Sequence, residues 1–89
     1  MATFYEANLR LEHYDTFKGI LDKQIPDTFS RWEWEQMKSH AQPRASGDIV
    51  VEVETDPNEF VRYCDSRNRP RNMDSLRELV YAKGVGQKY

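Results

Sequence analysis

Phe29-Ser30-Arg31-Trp32-Glu33-Trp34-Glu35-Gln36-Met37-Lys38-Ser39-His40 is the stretch on which the fold turns. Read as a helix, it opens on Ser30 and Glu33 at capping-box spacing and runs through good helix formers to Lys38. Phe29, Trp32, Gln36 or Met37, and His40 then form a patchy apolar stripe. Read as a strand, Trp32 and Trp34 share one face and Glu33 and Glu35 the other. The capping chemistry is local and favours the helix. The choice matters because Trp32 and Trp34 stand about 200° apart on a helix. A helix therefore buries Trp32 beside Phe29 and exposes Trp34, and exposed tryptophan is a frequent binding hot spot. A strand would place both in the core.

Working outward, Gln42 to Gly47 reads as a turn from its composition. Asp48 to Thr55 is the clearest strand, with Ile49, Val51 and Val53 on a buried side and Glu52 and Glu54 on the other. Upstream, Tyr5, Ala7, Leu9 and Leu11 alternate with polar residues over 4–12, the period of a half-buried strand. Asp15 or Thr16 then caps a short helix carrying Phe17, Ile20, Leu21 and Ile25, which Pro26 ends. Downstream, Thr55 or Asp56 caps a helix with Pro57 in its first turn and Phe60, Val61 and Cys64 on its apolar side. Ser66 to Asn72 breaks it. Asp74 caps a last helix bearing Leu76, Leu79, Val80 and Lys83, with Gly84 as its stop and 83–89 as a flexible tail. The order is strand, helix, helix, strand, helix, helix: one small α+β domain over 1–89, its two- or three-stranded sheet covered by helices.

The composition bounds the function. Of 89 residues only 18 are Leu, Ile, Val or Phe, although eleven aromatics add burial capacity and the net charge is only −2. Such a domain is marginal and invites self-association, as a homodimer joined at a strand edge. No apolar run suits a membrane, and the N-terminus lacks a basic-then-apolar leader pattern. A single cysteine points to the cytoplasm.

Charge is divided along the chain. Residues 1–60 carry twelve acids and six bases, while 61–89 carry three acids and seven bases. Arg62, Arg67, Arg69 and Arg71 form a tight basic cluster suited to phosphate or carboxylate. It reads as a nucleic-acid contact, as a site for an acidic protein, or as a solvated loop offsetting the acidic half. The pI of 5.6 and a sparsely basic last helix count against nucleic acid. Asp48, Glu52, Glu54, Asp56 and Glu59 cluster on and after the best strand. Such an acidic face can occupy the basic surface of a nucleic-acid-binding protein, or be simply the wet side of a strand.

Catalytic patterns are weak. His13, His40 and Cys64 show no metal-ligand spacing, and no phosphate-cradling glycine loop precedes a helix. No cofactor and no metal is expected. The leading expectation is a non-enzymatic, cytoplasmic interaction module that modulates another protein through Trp34, Glu52, Glu54, Asp56 and Glu59. The alternative is a nucleic-acid-binding module using the arginine loop.

Overall fold

The computed structural model describes residues 1–86. Strand β1 (Thr3–Asn8) leads into helix α1 (Leu11–Leu21), and a single 3-10 turn (Asp22–Gln24) follows it. Helix α2 (Phe29–Ala45), strand β2 (Ile49–Glu54), and helices α3 (Pro57–Ser66) and α4 (Met73–Gly84) complete the chain. The expected order of elements is observed, and the class is α+β. The sheet has two strands, β1 parallel to β2, in register from Thr3 opposite Ile49 to Asn8 opposite Glu54. A parallel pair needs a crossover, and α1 and α2 supply it.

Stretch 29–40 is helical, so it adds no third strand. Its cap is Thr28, whose Oγ1 accepts from the Arg31 N–H at 3.2 Å, rather than Ser30. The helix also runs through the expected turn at 42–47 and ends at Ala45, with Pro43 inside it. Proline at 43 removes one hydrogen bond to Ser39, and so close to the end the helix tolerates that loss. The turn is confined to Ser46 and Gly47, where Gly47 takes φ 85°. The Asp48 N–H then donates to the Pro43 carbonyl at 2.9 Å and delivers the chain to β2.

Elsewhere the boundaries move. The alternation over 4–12 overstates β1, which stops at Asn8. Leu9 drops into the core, whereas Leu11 opens α1 and is two-thirds exposed. Helix α1 thus starts four residues before Asp15, and its buried stripe is Tyr14, Phe17 and Leu21. Ile25 is buried beyond the helix, in extended chain after the 3-10 turn. In β2, Ile49 lies at the open end of the strand and is half exposed instead of buried. Helix α3 is capped as expected by Asp56, whose Oδ1 accepts from the Asn58 N–H at 2.7 Å. For α4 the cap is Asn72, accepting from the Ser75 N–H at 2.9 Å, and Asp74 sits in the first turn. Lys83 and Gly84 are helical, not the start of a tail, and the left-handed position is Gly86 at φ 78°. The remainder of that expected tail, 87–89, lies outside the described residues.

One core forms where α1, α2, α3 and α4 meet. Phe17 and Phe60 are fully buried with ring centroids 6.2 Å apart. Tyr14 packs edge-on against Phe29 at 5.5 Å and beside Trp32 at 6.3 Å, and its hydroxyl donates to the Pro26 carbonyl. The buried hydroxyl thus has a partner, as burial of a phenol requires. Among the described residues no helix is long and apolar enough to cross a membrane.

Candidate functional site

Helix α2 is the least embedded of the four α-helices. Over its 17 residues only Trp32 and His40 are buried. The opposite side carries Trp34, Met37 and Ala41, all exposed, at the i, i+3, i+7 spacing of a helix stripe. Trp34 is 42% exposed and Met37 63%. The Trp34 ring is held between two cations, with the Arg31 guanidinium and the Lys38 ammonium each 4.4 Å from its centroid. These sit at i−3 and i+4, the two positions that share its helix face. Arg31 also pairs with Glu35 at 3.7 Å. Each exposed cation–π contact contributes about 0.5–1 kcal/mol. Together they restrict the indole without hiding it.

The acidic residues are brought together, but each meets a base of this chain. Glu52 projects from β2 toward buried His40, with its Oε1 3.7 Å from Nδ1. Glu54 accepts from Arg10 at 3.1 Å, and Arg10 also pairs with Glu12 at 2.6 Å. These two carboxylates hold the Arg10 guanidinium above its ordinary pKa, the Glu54 hydrogen bond foremost. Asp56 caps α3 and lies 3.7 Å from His13. Glu59 accepts from Lys83 at 2.7 Å, and the same ammonium donates to the Glu54 carbonyl at 2.6 Å. Glu54 and Glu59 therefore meet countercharge within the chain, from Arg10 and Lys83, while Glu52 and Asp56 face imidazoles. The cation contacts of Trp34 come from α2 itself and not from this cluster.

The arginines are likewise engaged. Arg67 lies over the Tyr63 ring at 5.2 Å, Arg69 pairs with Glu78 at 3.2 Å, and Arg71 donates to both oxygens of Asp65. Arg62 is exposed on α3 and lines a shallow groove with Glu59, Tyr63 and Ser66. Half-exposed pairs of this kind contribute little to stability, yet they hold the guanidinium groups against the protein surface.

The Tyr63 hydroxyl donates to Glu78 at 2.6 Å. Burial first, and that hydrogen bond second, push its pKa up to about 12. Tyr14 is also pushed up to about 12, by burial and then by the charges of Glu35 and Asp27. A phenol whose folded pKa lies above its ordinary value of 10 stabilises the fold fully below pH 10. That contribution is lost as pH rises toward about 12. Denaturant melts at about pH 9 and pH 11.5 should therefore show a clear fall in stability, smaller in Tyr63→Phe. Equal stability at both values would contradict the assignment.

Cys64 is fully buried on α3, and burial raises its thiol pKa, the opposite of what a nucleophile needs. Its Sγ faces the Pro70 carbonyl at 3.7 Å. Glu33 and Glu35 project from different sides of α2, so they do not converge as a carboxylate pair. Among the described residues no three His, Cys, Asp or Glu side chains gather as metal ligands.

In the sequence Met37 reads as an alternative to Gln36 on the Trp32 side, and Ala41 falls just beyond the stretch read as helix, so the two are not grouped with Trp34. Continued through Pro43, the spacing 34, 37, 41 stands out on an otherwise polar face. Compared with known proteins, the chain matches no family model, no curated protein and no solved structure.

Proposed function

We propose that this chain is a small protein-interaction module, with no catalytic step of its own, that docks another protein on the outer face of α2 and so modulates it. The observation that supports this reading is the exposed stripe Trp34, Met37 and Ala41 on a 17-residue helix that buries two side chains. Amphipathic helices recognise partners by laying such i, i+3, i+7 anchors into an apolar groove. A partially desolvated tryptophan is the residue type most enriched among interface anchors. Arg31 and Lys38 flank it, so the fitting partner offers an apolar cleft rimmed by carboxylates. The engaged arginines at 67, 69 and 71 favour this reading over nucleic acid. Glu52 meets His40 on the buried side of α2, away from this stripe, so the acidic cluster of Glu52, Glu54, Asp56 and Glu59 is not assigned to the docking face.

The test begins with tagged capture from native lysate, with and without nuclease, and continues with the purified partner. Trp34→Ala is expected to weaken binding at least about thirtyfold, the equivalent of roughly 2 kcal/mol for a hot spot. Met37→Glu should do the same, and the thermal melts of both variants should stay near wild type. Capture lost on nuclease treatment, or affinity indifferent to both substitutions, would overturn the reading.

A further inference from the structure

We infer that the cavity beside His40, between α2 and the sheet, is a binding site for a free apolar α-amino acid. The cavity has a volume of 270 Å³. Ala7, Asn8 and Leu9 border it where β1 ends, Glu52 borders it from β2, and α2 supplies His40 and Arg44. His40 points to a ligand. It is 2% exposed, and its Nε2 has no hydrogen-bond partner among the described residues. The other ring nitrogen, Nδ1, faces Glu52 Oε1 at 3.7 Å. A carboxylate only accepts, so Glu52 holds the imidazole proton on Nδ1 and leaves Nε2 a lone pair. A buried acceptor left unmet is costly, and the open space that His40 borders is this cavity.

The surrounding charges select the class of ligand. Arg44 lies one turn beyond His40, at i+4 on the same side of α2. Its guanidinium is exposed and makes no ion pair among the described residues. A guanidinium of this kind pairs best with a carboxylate, through two parallel N–H bonds. Nε2 requires a donor, and the carboxylates of Glu52 and Glu33 in the same lining favour a cationic one. An ammonium next to a carboxylate is the α-amino acid head, and neighbouring His40 and Arg44 suit that short separation. Arg44 also counts against a bare metal ion at Nε2. Trp32, Phe29 and Leu9 line the rest of the cavity and accommodate an apolar side chain, while Asn8 and Gln36 add neutral amides. Sites for drug-sized ligands run from roughly 300 to 1,000 Å³, so 270 Å³ suits a molecule as small as one amino acid. Trp34 and Ala41 lie outside this lining, so the inference goes beyond the docking face and does not depend on it.

Titration of the full chain with each apolar L-amino acid, followed through the His40 and Trp32 resonances by NMR, tests it. At least one should bind with a Kd of about 1 mM or tighter. Its methyl ester and its N-acetyl derivative should each bind at least tenfold more weakly, because each lacks one of the two charged groups. The Nε2 resonance should shift more than Nδ1, since Nε2 is the atom that gains a donor. Arg44→Gln should lose at least tenfold in affinity while melting like wild type, and Trp34→Ala should bind within threefold of wild type. The capped amino acids are tested on the unaltered protein, so they decide the question even where a variant misfolds. No amino acid bound at that strength, capped forms that bind as well as the free one, or an unmoved Nε2 resonance would each overturn the inference.

Discussion

Trp32→Ala should lower stability by about 3–5 kcal/mol, while Trp34→Ala, two residues away, should change it by less than about 1 kcal/mol. The difference is purely one of position on α2. Trp32 is 6% exposed and packs against Tyr14, which in turn packs against Phe29. Deleting the indole leaves a cavity between α2 and α1 that neither helix can fill without moving its caps. Trp34 has solvent on one side and loses only its contacts with Arg31 and Lys38. Alanine's better helix propensity offsets part of that loss. A domain of this size has a total stability of roughly 4–13 kcal/mol, so Trp32→Ala removes much of it. The expected signature is a fall in Tm of more than about 12 °C for Trp32→Ala, with Trp34→Ala near wild type. Equal losses would mean that the Trp34 ring is part of the core, and the docking face on α2 would fall with it.

The order of elements was legible because each helix and strand carries its own period and punctuation. The helix over 29–40 was legible through its composition, though not its continuation to Ala45, and the pair Trp32 and Trp34 through the roughly 200° that separates them. Ends were harder. Leu9 and Leu11 continue the alternation of β1 although the strand has ended, because Leu9 enters the core from the link between β1 and α1. Pro43 looked like a terminator, yet near the end of a helix it removes a single hydrogen bond. The caps at Thr28 and Asn72 were displaced by neighbours of equal capping power, Ser30 and Asp74. The candidate site was half legible. Trp34 and the acidic cluster are visible as residues, but the bases that meet Glu52, Glu54 and Glu59 come from His40, Arg10 and Lys83, 12, 44 and 24 positions away. Nothing in local sequence reports such pairings. The cavity beside His40 is also a tertiary property, since it depends on where β2 and the end of β1 stand beside α2.

Gly84 separates a glycine needed for conformation from one needed for room. Its backbone is helical, and a Gly→Ala change near a helix end ordinarily gains up to about 1 kcal/mol. Here the sign should reverse. A Cβ at 84 would lie 2.7 Å from both Cγ and Cε1 of Tyr5 and overlap the ring edge between them. Tyr5 cannot simply swing away, because its ring meets Tyr81 edge-on at 5.7 Å and its backbone belongs to β1. Gly84→Ala must therefore push α4 off the sheet or force the Tyr5 ring off its rotamer, at a net loss of about 1–3 kcal/mol. Tyr5→Ala alone loses ring packing but opens the space above position 84. In that background Gly84→Ala should become neutral or stabilising, and the coupling between the two sites should exceed about 1 kcal/mol in a double-mutant cycle. Denaturant unfolding of the four proteins measures it. Additive effects, or a stabilising Gly84→Ala in the parent, would show that α4 packs less closely on β1 than this contact requires.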